Sequence, residues 1–249
     1  MQREGYRVTA VFEERHWWFR ARRDLVLRQV ERALGEAGAT TGAARILDYG
    51  CGTGFNLPFL ARYGEAWGAD VATQHGAEFR RAPEERFIDL DGDLAPHKGR
   101  FDLLTALDVL EHLDDDAAGL GAMRDWLRPG GQIVLTVPAY RWLWSGEDVI
   151  SEHRRRYTRR GLRGVCQRAG LELRFLSYFN LAILPAAAAA IWWERLRHRG
   201  APPRSNLREL PARANEWLYR AVAGEARRVG DERLRLPAGA SLVARCSAA

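Results

Sequence analysis

Residues 45–54 carry the sequence Arg45-Ile46-Leu47-Asp48-Tyr49-Gly50-Cys51-Gly52-Thr53-Gly54. The short apolar run at the start is typical of a buried β-strand, and the glycines that follow indicate a loop that opens a helix. Glycine tolerates positive φ angles and lets a ligand approach the backbone closely. A helix N-terminus adds N–H groups that lack partners within the helix. The stretch therefore predicts a ligand-binding strand–loop–helix unit.

The spacing of the glycines and two carboxylates restrict the ligand. The loop reads G-x-G-x-G, whereas dinucleotide sites read G-x-G-x-x-G. Asp48 lies beside the loop, where its charge would repel a pyrophosphate and suit a cationic ligand. Asp70 follows about 20 residues after the glycines, where a carboxylate can accept the hydroxyls of a ribose. These features argue against a nicotinamide-dependent oxidoreductase.

Strand and helix patterns alternate on both sides of this loop. Further strands are expected over residues 66–70, 86–91, 101–107, 132–137, 171–179 and 241–246, and helices over 114–127 and 159–169. Alternation of this kind predicts βαβ units, a mostly parallel sheet and helices on both faces. The sequence thus indicates an α/β fold.

Several of these segments resemble class I S-adenosylmethionine-dependent methyltransferases. Residues 46–54 are similar to the first motif of that family, residues 101–104 and 107–112 to its fourth-strand segment, and residues 127–131 to the turn before its fifth strand. The resemblance covers roughly residues 44–138. It implies a Rossmann-like sheet of seven strands, six of them parallel, with an antiparallel last strand that residues 241–246 would form.

The resemblance also implies S-adenosylmethionine as cofactor, with S-adenosylhomocysteine as product. Asp91 is preferred over Asp89 and Asp93 beside the adenine, and the Tyr49 ring would either face the sulfonium or pack in the core. Glu111-His112 resembles a pair whose histidine helps to order the loop after the fourth strand. The expected cofactor-binding residues are Asp48, Tyr49, Gly50, Cys51, Gly52, Gly54, Asp70, Val71, Asp91, Leu107, Asp108 and His112.

The whole chain is expected to be one methyltransferase domain. Residues 1–42 would form an N-terminal helical cap, residues 43–180 and 238–249 the Rossmann-like core, and residues 181–237 a helical insertion before the last strand. Residues 17–23, 137–145 and 153–158 resemble a bacterial subgroup of the family whose acceptor the resemblance does not identify.

The acceptor site is expected after the fifth strand, because ligands of open α/β sheets lie outside the carboxyl ends of the strands. In an extended chain Trp142 and Trp144 would face the same way. Methyl transfer is an in-line displacement that depends on positioning, and a neutral oxygen acceptor benefits from a general base. The candidate catalytic residues are His153, Asp148 and Tyr157, and the candidate substrate-binding residues are Tyr140, Trp142, Trp144, Arg155 and Arg156.

Structural roles compete with each of these assignments. Asp148 would instead cap a turn opened by Ser145, and His153 would bind backbone. The arginines would be solvated rather than bind an anionic group such as a phosphate. The tryptophans would pack against the insertion.

Charge and composition leave the class of acceptor open. The formal net charge of +6 suits an RNA methyltransferase, and Arg154, Arg155 and Arg156 add to that hypothesis. Against it, Lys98 is the only lysine, so the excess is arginine and can reflect a G+C-rich genome. We favour a small-molecule or lipid-like acceptor. A non-catalytic partner protein that binds S-adenosylmethionine is a further alternative.

No metal site is expected from the cysteines and histidines. Cys51, Cys166 and Cys246 are too few and too scattered for a zinc site or a disulfide framework. Four histidines also lack the spacing of ligands, and we expect them to lie on the surface or to cap helices: His16, His75, His97 and His198.

The apolar residues 181–193 are followed by Arg195, Arg197 and Arg199. This pattern fits either a helix packed on the sheet or peripheral membrane contact through residues 181–199. No apolar run reaches the roughly 18 residues that span a bilayer, and no signal peptide is evident. We therefore expect a cytoplasmic protein with possible membrane association, and the oligomeric state stays open.

Overall fold

The computed structural model describes residues 3–40, 42–71, 78–81, 83–197, 205 and 209–248. His75 and His198, with their expected surface or capping roles, lie outside these residues. The strands within them are β1 (Ala44–Tyr49), β2 (Gly64–Asp70), β3 (Phe87–Asp89), β4 (Phe101–Leu107), β5 (Leu127–Pro138), β6 (Leu171–Phe179) and β7 (Ser241–Ala248).

These strands form one seven-stranded sheet in the order β3-β2-β1-β4-β5-β7-β6. Strands β1 to β5 pair in parallel, and β7 is antiparallel to both β5 and β6. Six strands therefore run in one direction, which confirms the predicted α/β fold. The central strand β4 is buried along nearly its whole length, as expected for a parallel strand covered on both faces.

The helices among the described residues are α1 (Arg3–Phe12), α2 (Trp17–Glu36), α3 (Leu57–Leu60), α4 (Asp116–Arg124), α5 (Gly146–Ile150), α6 (Arg159–Arg168), α7 (Leu184–Arg197) and α8 (Ala212–Gly230). His16 caps α2, since its Nδ1 accepts a hydrogen bond from the backbone of Trp18. This confirms a capping role for that histidine.

Helices α2 and α8 pack together although they are far apart in the chain. The Trp17 N–H donates to Asn215 Oδ1 at 2.8 Å, and Gln29 Nε2 donates to the Gly230 carbonyl oxygen at 2.7 Å. The fully buried Leu25 and Val30 of α2 join the main hydrophobic core. Helix α2 is therefore held in place partly by a helix near the other end of the chain.

One local expectation holds only as a very short helix, and another was wrong. The helix after the glycine loop is only the four-residue α3, because β2 already begins at Gly64. The turn expected at residues 127–131 lies within β5, where the pairing with β4 shifts register. Gly130 has a φ of +77° there, which a glycine accommodates in such a bulge.

Helices α7 and α8 occupy the segment interpreted as an insertion. The only buried side chain among the described residues of α7 is Ile191, so this helix lies at the surface instead of being enclosed against the sheet. Within the described ranges, none of the helices combines the length and the apolar character needed to cross a bilayer. The division into cap, core and insertion remains our interpretation.

Candidate cofactor and acceptor site

A cavity of about 400 Å³ opens at the carboxyl ends of β1, β4 and β5. Its wall includes the glycine loop after β1, the segment after β4, the residues after β5, helices α1, α2 and α7, and the start of β7. The lining residues used below are Glu13, Arg22, Asp48, Gly50, Cys51, Gly52, Thr53, Leu107, Asp108, Glu111, His112, Leu143, His153, Arg156, Ile183, Ala187 and Ile191.

The glycine loop has the backbone shape that its sequence predicts. Gly50 and Gly52 have φ angles of +70° and +57°, which lie in the region that favours glycine. A Cβ at Gly50 would meet Val109 Cγ2 at 2.6 Å, whereas a Cβ at Gly52 would enter open space. The loop therefore needs glycine and leaves room beside its backbone.

Asp70 holds this loop through backbone contacts. Its Oδ2 accepts a hydrogen bond from the Gly52 N–H at 2.6 Å, and its Oδ1 accepts one from the Val71 N–H at 2.8 Å. Several of the expected cofactor residues are absent from the cavity wall among the described residues: Tyr49, Gly54, Asp70, Val71 and Asp91. The Tyr49 ring packs edge-on against Trp126, and Asp91 is exposed.

Asp48 places a buried carboxylate at the cavity wall. Its Oδ1 accepts a hydrogen bond from Thr105 Oγ1 at 2.6 Å. Burial raises the pKa of this carboxyl to about 6, because removal from water disfavours the charged form. A cationic ligand beside Asp48 would relieve that penalty, so the residue fits the sulfonium of S-adenosylmethionine.

The N-terminal helices line the end of the cavity at the glycine loop; the sequence predicted a helical cap over residues 1–42 but not this contact. Thr53 Oγ1 donates to both carboxylate oxygens of Glu13, at 2.7 and 2.9 Å. Arg22 forms an ion pair with Asp108, whose Oδ1 also accepts from Thr136 Oγ1 at 3.1 Å. The only signal was the aromatic and basic run at residues 17–23, which carried no assigned role.

Asp148 organises the end of the cavity that contains His153 and Arg156, where the sequence predicts the acceptor and which is here named the acceptor end. It is fully buried, and its Oδ1 lies 2.9 Å from His153 Nδ1 and 2.6 Å from Arg156 Nε. Arg156 also donates to Oδ2 at 2.8 Å, and the Ser145 N–H donates to the same oxygen at 2.7 Å. Asp148 thus caps α5 and holds His153 at the same time. Burial opposes its ionisation, but the hydrogen bonds with His153 and Arg156 hold the pKa of Asp148 well below its usual value.

Glu111 and His112 lie against His153. Glu111 is fully buried, and neither of its carboxylate oxygens has a hydrogen-bond partner among the described residues. His153 Nε2 lies 4.0 Å from Glu111 Oε1, and the rings of His112 and His153 meet edge-to-face with centroids 4.8 Å apart. Burial, with a contribution from Asp108, raises the pKa of Glu111 well above its usual value. Burial and the neighbouring His153 lower the pKa of His112 to about 4.

The expected aromatic wall is not present. Residues Arg141–Leu143 form a short 3₁₀ turn rather than an extended segment, because Tyr140 adopts a φ of +56° and reverses the chain. Trp142 is exposed and stacks on Tyr140, and Arg195 of α7 donates to the carbonyl oxygens of Trp142 and Trp144. The cavity wall contains Leu143 and none of the three expected substrate-binding aromatic residues Tyr140, Trp142 and Trp144.

Tyr157 and Arg155 are directed to α4 instead of the cavity. The Tyr157 hydroxyl donates to Asp116 Oδ2 at 3.0 Å. Arg155 pairs with Asp116 at 3.2 Å and donates to the carbonyl oxygens of Leu113 and Asp114. Because these polar atoms are already bound, the expected roles of Tyr157 in catalysis and of Arg155 in anion binding are corrected. Arg156 does line the cavity, with its guanidinium held by Asp148.

Comparison with known proteins agrees with this geometry. Residues 15–175 match a family model described as a methyltransferase domain. The chain is 32% identical over 117 residues to a ubiquinone biosynthesis O-methyltransferase of Aromatoleum aromaticum, over 44% of this chain and 48% of the relative. It is 37% identical over 97 residues to the enzyme of the same name from Cereibacter sphaeroides, over 36% and 39%. The chain thus spans less than half the length of these curated relatives.

A solved structure extends the likeness to most of the fold. Geranyl diphosphate C-methyltransferase from Streptomyces coelicolor A3(2), in complex with Mg²⁺, geranyl diphosphate and S-adenosyl-L-homocysteine, superposes with a TM-score of 0.53 at 16% identity. The superposition covers 89% of this chain and 78% of that protein, and at this identity it shows the fold alone. With a family match over more than half of its residues, a glycine loop of the expected shape and this sheet, the chain belongs to the class I S-adenosylmethionine-dependent methyltransferases.

Proposed function

We propose that this protein transfers a methyl group from S-adenosylmethionine to a hydroxyl of a hydrophobic small-molecule or lipid-like acceptor. The observation that carries the proposal is a single cavity that joins the glycine loop, the imidazole of His153 and the apolar face of α7. The names of the relatives, ubiquinone biosynthesis O-methyltransferases, support an oxygen acceptor on a small molecule.

The cofactor would lie along the glycine loop. When bound, S-adenosylmethionine supplies a methyl group already activated for in-line displacement. Asp48 would face its positive charge, and Gly52 would let it approach the backbone. Asp70 would accept ribose hydroxyls with lone pairs left over after its contacts with Gly52 and Val71, and Asp91 would lie near the adenine.

His153 would act as the base for the acceptor hydroxyl. In the tautomer that donates Nδ1–H to Asp148, Nε2 is left as an acceptor, and it lies on the cavity side near Glu111. Asp148 holds the ring in place and balances the charge that it gains with the proton. Arg156 keeps Asp148 ionised for this role.

The apolar wall indicates the character of the acceptor. Ile183, which directly precedes α7, and Ala187 and Ile191 of α7 line the cavity at four-residue intervals, a spacing that puts side chains on one helix face. On the same helix Trp192 and Trp193 are 55% and 57% exposed, and Arg195 and Arg197 follow. Apolar and basic side chains together suit the surface of an anionic membrane. We therefore infer that a lipid-like acceptor enters at α7.

The arginines at 154–156 support a small acceptor over RNA. Each of them forms an ion pair within the protein: Arg154 with Asp114, Arg155 with Asp116 and Arg156 with Asp148. This cluster therefore does not offer the unpaired basic surface that phosphate backbones require.

The central test compares wild type with His153→Ala in cofactor binding and in methyl transfer. Transfer of labelled methyl to lipid, glycan and RNA extracts identifies the acceptor class, and we expect the label in the lipid fraction. His153→Ala should lower the transfer rate about 10²- to 10⁴-fold and leave the calorimetric Kd of S-adenosylmethionine unchanged. His97→Ala, an imidazole stacked on Trp126 away from the cavity, is the matched control.

Two results would contradict the proposal. Wild type that binds no S-adenosylmethionine would contradict the function as a whole, and full transfer activity in His153→Ala would contradict the role of His153 as the base.

Contact of α7 with a membrane is tested by flotation with anionic liposomes. Trp192→Ala with Trp193→Ala should abolish co-flotation, whereas Trp217→Ala, which removes an exposed tryptophan of α8, should retain it.

A further inference from the structure

We propose that Glu111, His112 and His153 bind a divalent transition-metal ion at the acceptor end of the cavity. One donor atom from each of the three residues lies within 4.8 Å of the others, and all three residues line the cavity. The spacing of histidines and cysteines along the chain predicted no metal site, because these ligands come from two separate segments.

The carboxylate of Glu111 is the first argument. It is 0% exposed, and neither oxygen receives a hydrogen bond within the described part of the chain. Buried polar groups in native proteins are almost always partnered, and leaving a carboxylate unpaired carries a large desolvation penalty. The two arginines nearby already have partners, since Arg22 pairs with Asp108 and Arg156 with Asp148. A bound cation would supply the missing partner of Glu111.

The geometry around His153 is the second argument. Its Nε2 lies 4.0 Å from Glu111 Oε1, and tetrahedral metal–ligand bonds of about 2.1 Å would place these donors about 3.4 Å apart. A shift of about half an ångström in the side chains would therefore close the pair on an ion. The other nitrogen of His153, Nδ1, lies 2.9 Å from Asp148 Oδ1. Histidines that bind metals typically pass their second N–H to a carboxylate in this way. Small side-chain rotations would bring His112 into the same ligand set.

The ligand set selects the class of ion. Two imidazoles and one carboxylate suit Zn²⁺, Fe²⁺ or Co²⁺ rather than Mg²⁺ or Ca²⁺, which prefer oxygen ligands. Three protein ligands also leave coordination positions open toward the cavity. This part of the inference rests on the proposed function: a dication there would promote loss of the acceptor proton to solvent, because it lowers the pKa of a hydroxyl that it binds. In that form His153 holds the ion and no longer takes the proton itself.

Metal binding is measured on the full chain after removal of metals with a chelator. Zn²⁺ is titrated by calorimetry and Co²⁺ by its visible absorption, with both ions as the actual probes. We expect one saturable site in wild type. Glu111→Gln and His153→Gln should each weaken binding by at least about 10-fold, whereas His97→Gln should bind like wild type. Circular dichroism melts establish that each variant is folded.

Wild type without a saturable site would overturn the proposal, and so would a folded Glu111→Gln that binds both ions like wild type. His112→Gln probes the same site from another residue, so an unfolded Glu111→Gln does not leave the question open: unchanged binding in folded His112→Gln would also overturn this ligand set. Cofactor affinity and methyl transfer are measured separately on metal-free protein and on protein reloaded with Zn²⁺. Metal binding without transfer would contradict the proposed function alone, and transfer without metal binding would contradict the metal site alone.

Discussion

The two ends of the cavity are built in different ways. The cofactor end consists mainly of backbone from one continuous stretch, in which Gly50 and Gly52 take positive φ angles. The acceptor end consists of side chains from two separate segments. Asp148 and Arg156 hold His153, and His153 contacts Glu111 and His112. The first depends on local shape and the second on a buried network of charges.

This difference predicts how each end responds to substitution. Apart from Asp70, whose carboxylate accepts a hydrogen bond from the Gly52 N–H, the loop is held by local backbone geometry. It should therefore tolerate the loss of one side chain and lose mainly the ligand contacts of that side chain. A buried network should respond cooperatively, because each member satisfies the others in a medium of low dielectric constant. The predictions below test this contrast.

The largest effect is expected at Asp148. Asp148→Asn removes the charge that pairs with Arg156 and His153, and it leaves a mostly buried guanidinium uncompensated. Breaking a buried ion pair in this way lowers the free energy of unfolding by about 3–5 kcal/mol. Denaturant titration monitored by circular dichroism measures this loss in the free energy of unfolding.

The matched control is Asp114→Asn, which removes the partner of Arg154 from a side chain that is 84% exposed. We expect a change below about 1 kcal/mol there. Equal effects at the two positions would mean that the acceptor end does not depend on its buried network.

A smaller effect is expected from the ionisation of Asp48. Burial raises its pKa from 3.8 to about 6 in the folded protein, so the neutral carboxyl stabilises the fold below pH 4 and this contribution is lost as the pH rises through 6. Asp48→Asn has no such loss. Between pH 4 and pH 7 the free energy of unfolding of wild type should fall relative to Asp48→Asn by up to about 3 kcal/mol.

The affinity for the cofactor should rise between pH 4 and pH 7, whereas the free energy of unfolding falls. The ionised carboxylate attracts a cationic ligand, so the affinity of wild type for S-adenosylmethionine should increase from pH 4 to pH 7, while that of Asp48→Asn stays flat. Thermal melts and calorimetry across the range measure both trends, and parallel pH profiles of the two proteins would contradict the assignment.

The smallest effect is expected at Asp70. Asp70→Ala should remove two hydrogen bonds to the cofactor and weaken its binding by about 1–3 kcal/mol, or roughly 10- to 100-fold in Kd. Asp93→Ala, which removes the carboxylate that accepts from the Ala95 N–H, is the control. An unchanged Kd in Asp70→Ala would show that the cofactor lies elsewhere.

Much of the fold could be predicted because its signals are local. The apolar runs of β1, β4 and β5 mark buried parallel strands, and the glycines mark the loop at the end of β1. Asp48 could be placed beside that loop for the same reason, since it follows the apolar run directly and lies two residues before Gly50.

The acceptor end could be predicted only in part, because its geometry depends on contacts between distant residues. The pair of Asp148 and His153 was expected because the two residues are only five positions apart, and their atoms Oδ1 and Nδ1 lie 2.9 Å apart. The approach of Glu111 to His153 joins two segments that no spacing rule connects. The turn at 141–143 depends on the positive φ of Tyr140, which a tyrosine rarely adopts.

The pairing of α2 with α8 has a consequence for synthesis of the chain. Helix α2, which covers the cofactor end, is held by Asn215 and Gly230, about 200 residues further along. A ribosome adds about 5–20 residues per second, so α2 waits about 10–40 seconds for its partner. During that interval α2 lacks the hydrogen bonds with Asn215 and Gly230 that hold it over the glycine loop. We infer that the cofactor pocket closes only when translation has passed α8.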